Sequence, residues 1–195
     1  MGDDDRLYVS GDLVAAYKDH IVPLATLLTP NQHEAELLTG TKIDSQAAAV
    51  AACQALHQRG IATVVITSIR LAELQGELLL VASTQAKQKA GCPTRVQVNI
   101  PMLDAYFTGT GDLLAALLLA RLHKHPDNMQ HAVEQAVASL QAVLLASADA
   151  SGEAAHAKER TAQVFKQREL RLIQNPHLLI SPPVKLKAKP LDAEL

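Results

Sequence analysis

Tryptophan is absent from this 195-residue chain, and aromatic residues of every kind make up only 3% of it. A chain so poor in rings offers no stacking platform for single-stranded nucleic acid, which needs exposed aromatic faces. Its interior has to be built from Ala, Leu, Val and Ile. Excess positive charge is missing as well: 18 Lys and Arg stand against 20 Asp and Glu, for a formal net charge of −2. The basic residues are scattered, and only "KLKAK" near the end is locally cationic, so the footprint of a DNA binder is lacking. Cysteine is scarce. Cys53 and Cys92 form no CxxC, which argues against a zinc site and against a disulfide framework and fits a reducing cytosol. The opening "MGDDDRLYV" is acidic and holds no apolar stretch of a secretory signal, so a cytosolic location is expected. Long apolar runs are also missing. The longest, residues 113–122, contains Arg121 and is too short to span a bilayer.

What is present is a globular composition, 48% apolar and 19% charged. A chain of this length suits a single domain, expected over residues 1–195, that buries roughly 70% of its unfolded surface. "SGDLVAAYKDHIV" reads as a short helix with Ser10 at its N-cap. "LATLLT" is a compact buried strand candidate. "PNQHEAELLTG" carries Asn31 and Glu34 at capping-box spacing, with Gly40 closing the helix. "SQAAAVAACQALHQRG" repeats the scheme between Ser45 and Gly60, and Cys53 is expected in its core face. "IATVVITS" is β-branched and unbroken, as in a strand covered on both faces. "ELLLVAS" and "RVQVNI" predict two further strands and "DAYFT" a short one. A helix follows from Thr110 to about Leu122, and "DNMQHAVEQAVASLQAVLLASA" predicts a long amphipathic helix. Residues 151–166 and the C-terminal tail are expected to be weakly ordered, with "RELRLI" and "VKLKA" as short closing elements. Strands alternating with helices predict an α/β fold around a mostly parallel sheet.

In such folds ligands gather at the carboxyl ends of strands. Three strand ends here are unusually polar: "TPNQHE", "ITS" and "TGTGD". In "GTGD", Gly109 and Gly111 let the backbone turn tightly and approach a ligand. The N–H groups that open the next helix then favour an anion, such as a phosphoryl group in transfer. Asp112 would stand beside it as acceptor of an alcohol proton. The plainer reading is a tight turn in which Asp112 complements the helix dipole, and on spacing alone that reading carries more weight. Asn31 and Glu34 likewise read either as a capping box or as organisers of Mg²⁺ and its waters. Thr67 and Ser68 read either as hydroxyls ending a strand or as donors to nucleotide phosphates. Walker A and the protein-kinase signatures are absent, so any ATP site must follow another design. His123, His125 and His131 read as surface histidines near a helix end, because residues two apart on a helix do not face one site.

"VPLATLLTPNQHEAELLTG", "TVVITS", "YFTGTGDLLAALLLARLHKHP" and "RELRLIQ", in this order, resemble the ribokinase-like superfamily and within it the pyridoxal kinase family. "GTGD" followed by "HKHP" is far more specific than "GTGD" alone. Sugar kinases of the superfamily more often carry alanine where Thr110 stands, and hydroxymethylpyrimidine kinases often carry cysteine where Asp112 stands. The resemblance implies a three-layer α/β/α fold and transfer of the ATP γ-phosphoryl group to the 5′-hydroxyl of pyridoxal, pyridoxine or pyridoxamine. It implies Asp112 as catalytic base and Gly109, Thr110 and Gly111 as the anion hole. It places Asn31, Thr67, Ser68 and Thr110 on ATP, with Ile100, Pro101, Met102 and Leu103 flanking the nucleotide, although "NIPML" departs from the more polar family segment. It assigns Asn31 and Glu34 to Mg²⁺ or another divalent ion, and Asp3, Thr29 and Thr67 to a monovalent cation, K⁺ or Na⁺. A homodimer is also implied, without nucleic acid or membrane. Family members carry a long segment before the part that resembles "MGD". The chain is therefore expected to be N-terminally truncated, with the ATP half of the site present and the acceptor half missing. The alternatives are a different acceptor, hydroxymethylpyrimidine or a sugar, or an inactive chain that only binds nucleotide or a partner.

Overall fold

The computed structural model describes residues 2–3, 6–7, 9–152 and 168–191. These residues fall in two compact units. The first comprises residues up to Pro101, Pro126–Gln130 and the segment from Ala188 onward; the second comprises Met102–His125 and His131–Lys187.

The first unit opens with a minimal antiparallel pair, β1 (Gly2–Asp3) and β2 (Arg6–Leu7). Helix α1 (Gly11–Ala16) then runs through one π turn, Tyr17–Ile21, into a 3₁₀ turn, Val22–Leu24. Ser10 occupies the predicted N-cap position, but its side chain makes no capping bond. Its hydroxyl instead bonds the Asp12 carboxylate and, with backbone N–H groups, holds that exposed carboxyl below its ordinary range. Only Val22 of this stretch is buried.

A five-stranded sheet follows in the order β3 (Leu27–Leu28), β4 (Thr63–Ile69), β5 (Glu77–Thr84), β6 (Arg95–Pro101) and β7 (Lys189–Pro190). The fold is α/β, as the alternation predicts. The expectation of a mostly parallel sheet is corrected among the described residues: only β3 and β4 run parallel, and the other three pairings are antiparallel. For the β4–β5 and β5–β6 pairings the cause is loop length. A parallel return needs a crossover of a dozen or more residues. The chain between β4 and β5, residues 70–76, is a tight turn closed by Gly76 at φ +77°, so it can only form a hairpin. β3 is shorter than "LATLLT" suggests, and "DAYFT" forms no strand: within it only Thr108 makes a single bridge, to Glu169. The terminal strand falls just beyond "VKLKA", where Lys189 pairs with Gln97.

Helices α2 (Gln32–Thr39) and α3 (Gln46–His57) pack on β4 and β5. Their start signals work as written in the sequence. Asn31 Oδ1 accepts from the Glu34 N–H at 2.8 Å, and Glu34 returns a bond to the Asn31 N–H at 3.1 Å. Ser45 accepts from the Ala48 N–H at 3.2 Å. One face of α3, Ala49, Ala52, Cys53 and Leu56, is fully buried against Leu38, Ile43, Ile61, Val64 and Ile66. Small alanines let the helix sit close to the sheet, and the β-branched residues fill the gap without any ring. His57 closes α3. Its Nδ1 lies 2.7 Å from the Ile61 carbonyl, which can only accept, so in the neutral ring Nε2 accepts from the Ser83 hydroxyl at 2.8 Å.

Burial pushes the Cys53 thiol up to about 12, against a small opposing pull from Arg95. Since the thiolate is the nucleophile, this cysteine should be inert in the folded chain. Alkylation of the native protein at pH ~8 is expected to label Cys92, which is half-buried, and to spare Cys53, with both labelled in denaturant. Two labels on the native protein would contradict the buried position of Cys53.

The second unit holds α4 (Thr110–Lys124), most of α5 (Met129–Ser151) and the short α6 (Pro176–Ile180). Within it the Arg121 guanidinium donates to the Leu179 and Ile180 carbonyls at 2.7 and 2.9 Å, tying α4 to the end of α6. Lys187 pairs with Glu134 at 3.0 Å. Phe107 is the one buried aromatic among the described residues. "RELRLI" forms turns rather than a regular element, and most of the 151–166 segment lies outside the described residues, as does the tail beyond Leu191. No helix among the described residues is long and apolar enough to cross a membrane.

Candidate active site

In the first unit, the sheet brings two of the three polar strand ends together. β3 and β4 are parallel neighbours, so their carboxyl ends emerge side by side. Thr29 and Pro30 leave β3, and Asn31 bridges to Thr67 beyond the regular ladder. The Thr67 N–H donates to the Pro30 carbonyl at 2.8 Å, and its hydroxyl reaches the same carbonyl at 3.4 Å. Asn31, Glu34, Thr67 and Ser68 are all half-buried. The pairs Asn31–Glu34 and Thr67–Ser68 therefore meet at one strand end, with Thr29 two positions from Asn31 in the chain.

The end of β4 is not a regular strand. Its register with β5 shifts between Ile66 and Ile69, and Ser68 sits in the left-handed region at φ +48°. A non-glycine residue rarely adopts that conformation, and such strain collects at functional sites. The bulge keeps the Thr67 and Ser68 hydroxyls, 3.4 Å apart, at the same strand end. The sequence showed the hydroxyls in "ITS" but gave no sign of the bulge.

The donor set suits a sparsely ligated hard cation. Among the described residues no three His, Cys, Asp or Glu side chains cluster as a metal cage. The Asn31–Glu34 pair supplies one amide and one carboxylate, both anchored by the capping box. Mg²⁺ typically takes one or two protein oxygens and keeps several waters, so these residues fit it, whereas a fully protein-ligated ion does not fit. Asp3 lies in β1, a strand beside α2, but its side chain lies outside what is described. Ile100 and Pro101 end β6, the first buried and the second exposed. Met102 is exposed and Leu103 half-buried in the chain that follows.

In the second unit, α4 starts as the "GTGD" reading requires. Gly109 is the N-cap at φ +86°, and no side chain caps the helix. The Gly109 carbonyl accepts the first helical bond, from the Leu113 N–H at 3.0 Å. The amides of Thr110, Gly111 and Asp112 thus open a 15-residue helix at its positive end. Gly111 and Asp112 are exposed, and a Cβ added at Gly109 or Gly111 would find no atom within 4 Å. The absence of a capping side chain matters. Glycine is itself a common N-cap, and here its effect is to leave the first amides without a side-chain acceptor. Close by, the Arg168 guanidinium stands 5.7 Å from the Tyr106 ring centroid, a cation–π pair that the sequence did not reveal.

Comparison with known proteins gives this geometry a context. A family model described as phosphomethylpyrimidine kinase matches residues 2–157. Pyridoxal kinase from Arabidopsis thaliana is 44% identical over 189 residues, covering 97% of this chain and 58% of that protein. Pyridoxal kinase from Homo sapiens is 41% identical, covering 95% of this chain and 60% of that protein. Among solved structures, pyridoxal kinase from Leishmania donovani in complex with ADP and pyridoxamine superposes with a TM-score of 0.81 at 32% identity, covering 98% of this chain and 60% of that one. The chain thus spans about three-fifths of the length of the relatives it matches. Since the family model covers well over half of its residues and the superposition nearly all of them, this chain belongs to the phosphomethylpyrimidine kinase family and has the α/β fold of the pyridoxal kinases.

Proposed function

We propose that the chain acts in ATP-dependent phosphorylation of a B6 vitamer, as a pyridoxal kinase that works in the cytosol. The observation that carries the reading is the start of α4, where a left-handed glycine cap leaves the first amides without a capping side chain and an exposed carboxylate follows at once. In this reading the amides of Gly109, Thr110 and Gly111 stabilise the charge that builds on the transferring phosphoryl oxygens. Asp112 takes the proton of the attacking 5′-hydroxyl, a group too weakly acidic to ionise unaided. Asn31, Thr67 and Ser68 hold the nucleotide phosphates, and residues 100–103 flank the nucleotide. Mg²⁺, held through waters by Asn31 and Glu34, would neutralise phosphate charge. A monovalent cation at Asp3, Thr29 and Thr67 and the pairing of two copies belong to the same reading. The named relatives support the acceptor: the Arabidopsis thaliana and Homo sapiens proteins are pyridoxal kinases.

A second reading, phosphorylation of a hydroxymethylpyrimidine, is favoured by the description of the matching family model. One assay separates the two. The purified chain is incubated with MgATP and either pyridoxal or hydroxymethylpyrimidine, and ADP release is followed beside the absorbance of pyridoxal 5′-phosphate. Product from pyridoxal and none from the pyrimidine is expected, whereas MgATP binding without product from either would favour the reading of a chain that only binds nucleotide. Product from the pyrimidine alone would transfer the chain to the second reading, and failure to bind MgATP would overturn both.

A further inference from the structure

The nucleotide-side residues come from two different elements, the start of α2 and the bulged end of β4, and one side chain joins them. Gln32, the first residue of α2, accepts from the Arg70 N–H through Oε1 at 2.9 Å. Its Nε2 donates to the Ile43 carbonyl at 2.7 Å. Both ends of the amide are thus engaged, with groups 38 and 11 residues away in the chain. The Ile43 peptide is gripped a second time, since the Ile43 N–H donates to Glu36 at 2.7 Å. Ile43 itself is fully buried in the core, so Gln32 is anchored to a rigid point. Arg70 lies just past the register shift, immediately after Ser68 and Ile69. On the near side of the shift, Thr67 is held by the Pro30 carbonyl and by its bridge to Asn31. The strained pair Thr67–Ser68 is therefore pinned on both flanks to the segment that carries Asn31 and Glu34.

We propose that Gln32 is a positioning residue for nucleotide binding: it clips the bulged end of β4 to the start of α2 and so sets the Thr67 and Ser68 hydroxyls against Asn31 and Glu34. The inference rests on the nucleotide role assigned above to those four residues. A left-handed serine relaxes toward ordinary strand geometry unless its surroundings hold it. The bond from Arg70 lies where such relaxation would begin.

The test measures two things on the same variants, amide hydrogen exchange at Arg70 and affinity for MgATP. Gln32→Ala is expected to speed Arg70 exchange and to weaken MgATP binding about tenfold, while α2 and the core keep their protection. Gln32→Glu keeps an acceptor for Arg70 and loses the donor to Ile43. It is expected to restore part of the Arg70 protection without restoring the affinity, because its carboxylate opposes the Ile43 carbonyl and adds negative charge beside the phosphates. Should the alanine variant fail to fold, Gln32→Met, similar in length and unable to bond either partner, takes its place with the same two readouts. Unchanged Arg70 exchange, or faster exchange with wild-type MgATP affinity, would overturn the inference. A wild-type chain that does not bind MgATP would instead sink the nucleotide reading, and Arg70 exchange would still decide whether Gln32 holds the bulge.

Discussion

Replacing Asp112 by Asn is expected to lower turnover of the alcohol acceptor by roughly 10²–10⁴-fold while leaving MgATP affinity near wild type. The size of the effect separates the two roles open to this residue. Asp112 is in the first turn of α4, where any carboxylate is favoured by the helix dipole. If that were its whole role, the substitution would cost about 0.3–1 kcal/mol of stability and nothing in chemistry. If Asp112 accepts the proton of the attacking hydroxyl, the isosteric amide cannot replace it, and the loss falls on kcat. Its exposure beside an uncapped helix start leaves room for an acceptor alcohol to approach. The measurement is a steady-state comparison of kcat and KM with a melting curve for each protein. An equal loss of MgATP binding would move Asp112 from the chemistry to the nucleotide site, and a small stability change with full turnover would return it to the plain capping role.

The parts of the fold that were legible in advance are those written over three or four residues. The Asn31–Glu34 capping box, the Ser45 cap and the glycine at the end of α2 follow from local spacing, because each partner lies within one helical turn. The strands β4, β5 and β6 were legible from β-branched runs. Their direction was not, because direction depends on whether the connection is long enough to cross over, and the alternation of strands and helices suggested more crossovers than exist. The site was legible as residue types and not as geometry. "ITS" announced two hydroxyls, but the left-handed Ser68 and the register shift arise from packing between β4 and β5, which no local pattern encodes. Gln32 was invisible for the same reason. Its neighbours in the motif drew attention by their spacing, while its own partners lie on a core loop and a strand end. Ser10 shows the converse: a good cap residue at the right position bonds the Asp12 carboxylate instead of capping the helix.

The two glycines of "GTGD" should respond to alanine in opposite ways in stability and in the same way in activity. Gly109 stands at φ +86°, a conformation that costs a residue with a Cβ about 1–2 kcal/mol. Gly109→Ala should therefore melt lower, even though the added methyl meets no atom within 4 Å. Gly111 has ordinary helical geometry and equally open surroundings, and alanine is the better helix former by about 1 kcal/mol. Gly111→Ala should melt no lower than wild type, and higher if the propensity gain is realised. On the proposed reading its methyl would nevertheless stand over the amides of the first turn, where the transferring phosphoryl group would have to come close. A loss of about 10²-fold in kcat/KM is expected from displacing that contact, comparable to removing one donor from an anion hole. A protein that becomes more stable and less active on gaining one methyl in empty space points to a ligand that fills the space during turnover. If Gly111→Ala keeps full activity, the bare helix start is only a turn, and the phosphoryl group must be stabilised elsewhere.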